Sequence, residues 1–182
     1  MPTQPSWPLR TERLALRRYR SDDLGWMASL YARPDVARFL LEDPWTPQRA
    51  QENLTKRMTK NGLEGPSGAL SLTIDKGEQS IGDVSVWFTD QPRRVAEIGW
   101  VLDPSHGGHG YAREAVRAVI RFAFDEYDLH RLVAQMDARN EASARLAASV
   151  GMRQEAHHLQ DYWSKGEWTD SLIFALLSTD PR

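Results

Sequence analysis

The chain contains no cysteine. That absence excludes disulfides, zinc–thiolate centres and a cysteine acyl-enzyme. Were the protein to move an acyl group, it would do so by direct attack or through an oxygen nucleophile. Long apolar stretches are missing as well, since no run reaches the ~18 residues that mark a membrane span. The opening stretch MPTQPSWPLR has no basic segment followed by an apolar one, so the expectation is no export and a cytoplasmic protein. Neither sign of charge dominates. A formal net charge of −2 leaves no basic field for a nucleic-acid backbone. GxSxG and HExxH are both absent, and there is no internal repeat or low-complexity tract. The 182 residues, 41% hydrophobic and 26% charged, suit one globular domain over 1–182 with a full core.

What the chain does have is concentrated between Glu97 and Tyr127, EIGWVLDPSHGGHGYAREAVRAVIRFAFDEY. Val95 to Leu102 reads as a strand, and a helix begins near Tyr111. Between them stand Gly107, Gly108 and Gly110, which let the backbone turn tightly and approach a ligand closely. Ala112, Ala115, Val116, Val119, Ile120, Ala123 and Tyr127 recur on one helical face, with Arg113, Glu114, Arg117 and Arg121 between them. The first N–H groups of such a helix are unpaired and its dipole is positive there, so the turn can seat a phosphate-like anion. A tight connection with no ligand would look the same locally. A P-loop needs Lys-Ser or Lys-Thr after the glycines, and none follows. A dinucleotide fingerprint needs GxGxxG, but Gly108-His109-Gly110-Tyr111-Ala112-Arg113 ends in a bulky arginine.

The stretch from Asp103 to Ala115, DPSHGGHGYAREA, resembles the acetyl-CoA-binding motif of the Gcn5-related N-acetyltransferases (GNAT), commonly written [QR]-x-x-G-x-[GA]. Gly110 and Ala112 fit it, as do Tyr111 and Glu114-Ala115; Gly107 departs from it, standing where the family usually carries Gln or Arg. Near the N-terminus, Thr11 to Arg17 reads T-x-R-L-x-L-R and looks like the opening of the ribosomal-protein (RimJ/RimL) branch of that family. The resemblance implies acetyl-CoA as cosubstrate, bound by backbone amides of Gly107, Gly108, His109, Gly110, Tyr111 and Ala112. It also implies an amine acceptor, no metal, and a monomer or homodimer.

Along the chain, Leu9 to Tyr19 alternates as a first strand, and Ser21-Asp22 caps a helix running to about Ala32. Thr46-Pro47 starts a second helix, a surface lid or edge cover, that should stop near Asn61-Gly62. Gly68 to Asp75 and Ile81 to Phe88 form a hairpin across Lys76-Gly77-Glu78, and Asp90 to Arg93 turn into the strand at Val95. After the central helix come a strand (Arg131 to Met136), a short helix (Asn140 to Val150) and two strands, Met152 to Leu159 and Ser171 to Leu177. This order matches an α/β (α+β) GNAT fold, a mixed, mostly antiparallel seven-stranded twisted sheet with helices on both faces.

Acetyl transfer to an amine needs a held thioester, a neutral amine, a donor for the developing oxyanion and a proton for the thiolate. Gly99 interrupts its strand and suggests a bulge that frees backbone groups. By analogy with the family, the amide of Val101 is the oxyanion donor and Leu102 pairs with the pantetheine arm. Asn140-Glu141-Ala142-Ser143 resembles the family's N-x-x-S motif, followed after its helix by Gly151-Met152. It gives Asn140 to the pantetheine or acetyl group and Ser143 to the sulfur, although Asn140 also reads as a plain helix cap. Tyr162 is the rival proton donor. Glu97 is the base, through water, with Asp161 second. Trp26, Trp45, Trp87, Trp100 and Trp163 are candidates to line an acceptor cleft, and His106 and His109 flank the glycines without a third metal ligand nearby. The competing readings are a CoA-binding sensor without catalysis, which the missing Gln or Arg at Gly107 keeps open, and a nicotinamide oxidoreductase.

Overall fold

The structure is a computed structural model and describes residues 7–181. The first six residues and Arg182 lie outside that range, and with them most of the stretch read for an export signal and both ends of the expected domain.

Among the described residues nine strands form one sheet: β1 (Leu9–Arg10), β2 (Ala15–Arg18), β3 (Asn61–Gly62), β4 (Ala69–Lys76), β5 (Gln79–Asp90), β6 (Val95–Leu102), β7 (Arg131–Asp137), β8 (Arg153–Ser164) and β9 (Glu167–Leu177). Their order is β1-β2-β4-β5-β6-β7-β9-β8, with β3 paired to β4 beyond the end of β2. Every pairing is antiparallel except β6 with β7. The expected count of seven is therefore corrected to nine, for two local reasons. Thr11 N–H donates to the Leu14 carbonyl at 3.0 Å, folding the expected first strand into the β1–β2 hairpin. Asn61-Gly62, expected to end a helix, instead joins β4 as β3. The last two strands are also longer than expected and meet at Lys165 and Gly166, both at positive φ (51° and 87°), as a two-residue type I′ turn requires.

Among the described residues five α-helices cover the sheet: α1 (Leu24–Tyr31), α2 (Pro34–Ala37), α3 (Pro47–Met58), α4 (Tyr111–Tyr127) and α5 (Glu141–Ser149). On one face Ala115, Val116, Val119, Ile120, Ala123 and Phe124 of α4 pack with Leu70, Leu72, Val84, Val86 and Ile98 of the sheet, all essentially buried. On the other, α1 and α3 build a second cluster from Met27, Leu30, Tyr31 and Leu54. Thr46 caps α3 as the sequence implies, its hydroxyl accepting from Arg49 N–H at 3.2 Å. The start of α1 differs from expectation. A short 3-10 turn, Ser21–Asp23, precedes it, and Asp23 rather than Ser21 closes back on the Arg20 amide at 2.7 Å.

Candidate active site

The central feature is a parting of strands. Strands β6 and β7 pair only over Val95, Ala96 and Glu97, while β5 continues beside β6 to Leu102 and β9 continues beside β7 to Asp137. Beyond Glu97 the two strands diverge and leave a gap in the middle of the sheet. The phase of β6 fixes which amides face this gap. Asp103 N–H donates to the Ile81 carbonyl in β5 at 2.8 Å. Residues along an antiparallel strand address their two neighbours alternately, so Val101 and Gly99 also face β5, opposite Asp83 and Ser85. The amides of Trp100 and Leu102 then point into the gap. By this phase the amide of Leu102, expected to pair with the pantetheine arm, points into the gap, and that of Val101, expected to serve the oxyanion, points toward β5. No register shift occurs at Gly99. Its role is space, since a Cβ there would stand 3.3 Å from Cη2 of Trp87, whose indole lies against the strand.

A cleft of about 510 Å³ opens over the gap. It gathers Glu97, Val101, Asn140, Ser143 and Tyr162 from the sequence candidates, together with Trp45, Trp87 and Trp100. Trp26 belongs elsewhere, its indole donating to Asp23 at 2.8 Å in a separate groove, and Trp163 is 57% exposed. Asp161, the second choice for the base, does not line the cleft; it is exposed and faces His158 at 3.5 Å.

Glu97 sits half-buried in the cleft with no ion pair or hydrogen bond to its carboxylate among the described residues. Burial pushes its pKa up. Ser143, in the first turn of α5, accepts from Trp100 Nε1 at 3.2 Å, and its amide donates to Asn140 Oδ1 at 3.1 Å. Asn140 is thus the cap of α5, and the Ser143 hydroxyl keeps its own proton to donate. Tyr162 lines the same cleft from β8 and is 38% exposed.

Sequence reasoning missed the floor of the cleft. Arg57 of α3 donates to the Tyr31 hydroxyl at 2.7 Å and to Asp83 at 2.6 Å, and Tyr31 also donates to Asp83 at 2.6 Å. Trp45 stacks on Tyr31 with ring centres 4.0 Å apart, and Arg57 lies over both rings. Burial presses Arg57 to lose its proton, but the Asp83 carboxylate and the hydroxyls of Tyr31 and Tyr19, to which it also donates, hold it charged. No local pattern joins residues 31, 57 and 83; only the stacking of α1 and α3 on β5 does.

The glycine turn lies past the end of β6. Gly108 and Gly110 take positive φ (77° and 79°), and the amides from Gly108 to Arg113 meet no acceptor among the described residues. Gly107 differs from them: its amide closes the turn on the Pro104 carbonyl at 3.0 Å. The turn is braced from behind by Arg13, which donates to the His109 carbonyl at 2.9 Å and to Glu114 at 2.7 Å and lies over the Tyr111 ring. Thr11 adds a 2.6 Å hydrogen bond to the same Glu114. His106 stands near Asp103 and Ser105, and no group of three or more potential metal ligands occurs among the described residues.

Comparisons with known proteins agree with this arrangement. Residues 13–153 match the family model for an acetyltransferase (GNAT) domain. An uncharacterized N-acetyltransferase, p20, of Bacillus licheniformis is 30% identical over 94% of this chain and 97% of its own length. The [ribosomal protein uS5]-alanine N-acetyltransferase of Escherichia coli is 26% identical over 97% of this chain and 93% of its own. Among solved structures, spermidine N-acetyltransferase from Vibrio cholerae, in complex with CoA and spermine, superposes with a TM-score of 0.80 at 20% identity, over 93% of this chain and 98% of that one. A parted β6–β7 pair beside a turn of free amides thus coincides with a family match across most of the sequence, and the chain belongs to the GNAT family of acetyltransferases.

Proposed function

We propose that this protein transfers acetyl from acetyl-CoA directly to a primary amine, in the cytoplasm where that thioester is made, and that the β6–β7 gap is where the transfer occurs. The carrying observation is the gap itself, with two strand amides directed into it and the unpaired carboxylate of Glu97 at its head. The turn fits a diphosphate: unpaired amides, two glycines at positive φ and the start of a 17-residue helix converge on it. Bound there, the cosubstrate supplies an activated acetyl carbonyl.

The rest is work for this chain's residues. The amides of Gly108, His109, Gly110, Tyr111 and Ala112 hold the diphosphate, and that of Leu102 pairs with the pantetheine arm beside Asn140. The Trp100 amide, rather than that of Val101, receives the charge that develops on the carbonyl oxygen. Glu97 draws the proton from the incoming ammonium through a water, and its raised pKa suits a base near neutral pH. Ser143 delivers a proton to the departing sulfur, with Tyr162 as the alternative donor. Gly107 keeps a second reading alive, a CoA-binding protein without turnover, because its amide is spent within the turn and it has no side chain to add.

Release of free thiol from acetyl-CoA with peptide, polyamine and aminoglycoside acceptors separates the two readings. Turnover with any amine supports the transferase, and CoA binding by calorimetry without thiol release supports the silent relative. A peptide preference in the same panel would support the RimJ/RimL reading suggested by the Thr11 to Arg17 motif and by the Escherichia coli relative, which acts on a ribosomal protein.

A further inference from the structure

The cleft carries four acidic and four basic lining residues, but they are not equally free. Asp83 is bound by Arg57, Glu42 by Arg49, and Asp137 by Arg139. With those pairs closed, Glu97 is the one acidic lining residue without an ion pair, whereas Arg38, Lys56 and Lys60 line the cleft with no salt bridge among the described residues. Lys60 is the most telling of the three. It is half-buried, its backbone carbonyl accepts from Ser71 of β4 at 2.9 Å, and its ammonium has no hydrogen-bond acceptor among the described residues. Burial first, then the neighbouring Arg57 and Lys56 charges, lower its pKa, and the Asp83 carboxylate, already paired with Arg57, offsets this only in part. A polyamine would add positive charge to this surface. An anion would complete it.

We infer that the acceptor of this enzyme carries a carboxylate or phosphate in addition to its amine, and that Lys60 receives that anion while Lys56 and Arg38 attract it at the mouth. The inference rests on the transferase reading and adds to it a class of substrate. Lys60 lies beside β4 in line with β3, so its backbone stands three strand spacings, roughly 14 Å, from that of Glu97 on β6, and its own side chain covers part of that distance. About three extended residues span the remainder, so a short peptide acid, or an amino-alkyl phosphate of that length, can place one end at each site.

The test is a ratio. Trialanine acid is compared with trialanine amide, and 6-aminohexyl phosphate with 6-aminohexanol, each by kcat/KM from thiol release. We expect the charged member of at least one pair to win by about tenfold or more, as a charge-assisted hydrogen bond implies. The two pairs tell carboxylate from phosphate. High salt and Lys60→Gln should each shrink the ratio, and Lys60→Arg should preserve it; because a ratio is read, a general loss of activity cancels. Ratios near one in the wild-type protein, a ratio untouched by Lys60→Gln, or a preference for spermidine over all four would overturn the inference. Should Lys60→Gln fail to fold, the salt dependence of the wild-type ratio decides. If no acceptor releases thiol, the transferase reading fails by itself. Calorimetry of trialanine acid and amide, and of the phosphate and alcohol, into the CoA-loaded protein then decides the anion site. Tighter binding of a charged member supports it, and equal binding within both pairs overturns it.

Discussion

Glu97 is defined by what does not touch it. A carboxylate drawn into a cleft with no partner holds its proton more tightly when the protein is folded than when it is unfolded. The favourable contribution of that proton is fully present below the ordinary glutamate pKa and is lost as pH rises through the raised value. Ionised Glu97 therefore costs stability at neutral pH. Glu97→Gln should melt above the wild-type protein at neutral pH, and the difference should vanish in acid below the usual carboxylate range. The same variant should lose about 10²- to 10⁴-fold in kcat/KM on a lysine-like amine, whose pKa is about 10.4, and less on an α-amine near 8. Unchanged activity on both would remove Glu97 from the base role. For Ser143 and Tyr162, Ser143→Ala and Tyr162→Phe compared by kcat at a fixed pH should tell the proton donor from the bystander. The variant that loses about 10²-fold or more in kcat while still binding CoA carries the proton.

Two links between elements set the site. The first ties the β1–β2 hairpin to α4, where Thr11 and Arg13 both end on Glu114. The N-terminal motif and the glycine motif, far apart in the sequence, meet on this carboxylate. The second is the Arg57–Asp83 pair between α3 and β5, whose side chains are 16% and 4% exposed. Removing one member leaves a buried charge behind, so Arg57→Ala should lower the unfolding free energy by about 3–5 kcal/mol in urea titration. Asn140 joins both kinds of role. Asn140→Ala should cost about 1 kcal/mol as a lost helix cap. A fall in CoA affinity beyond what the loss of folded protein explains would mark its second function.

Across the whole molecule, the proposed cosubstrate seat is a turn in which Gly108 and Gly110 sit where a side chain is strained. Gly110→Ala places an alanine at a φ of 79°, which should cost about 1–2 kcal/mol and weaken CoA binding. In the wild-type protein, CoA at about a hundred times its Kd should add about 2.7 kcal/mol and raise the melting temperature, with Gly110→Ala showing a smaller rise at the same concentration.

The sequence by itself determined the elements whose causes are local. Helix α4 was readable from its apolar period, α3 from Thr46-Pro47, the turn from its glycines, and the family from motifs strung in order. Asn140 and Ser143 were legible because a cap and its first turn are neighbours in the chain. What depends on distant segments meeting was decided only by the tertiary structure. Thus β3 forms because β4 offers an edge, and Trp100 rather than Val101 faces the gap because β5 fixes the phase of β6. Asp161 turns away from the cleft, Arg57 enters it, and Lys60 lines it with no salt bridge among the described residues. Local periodicity and capping act through bonds a few residues apart, whereas pairing phase and charge balance arise only when strands and helices far apart in the chain come together.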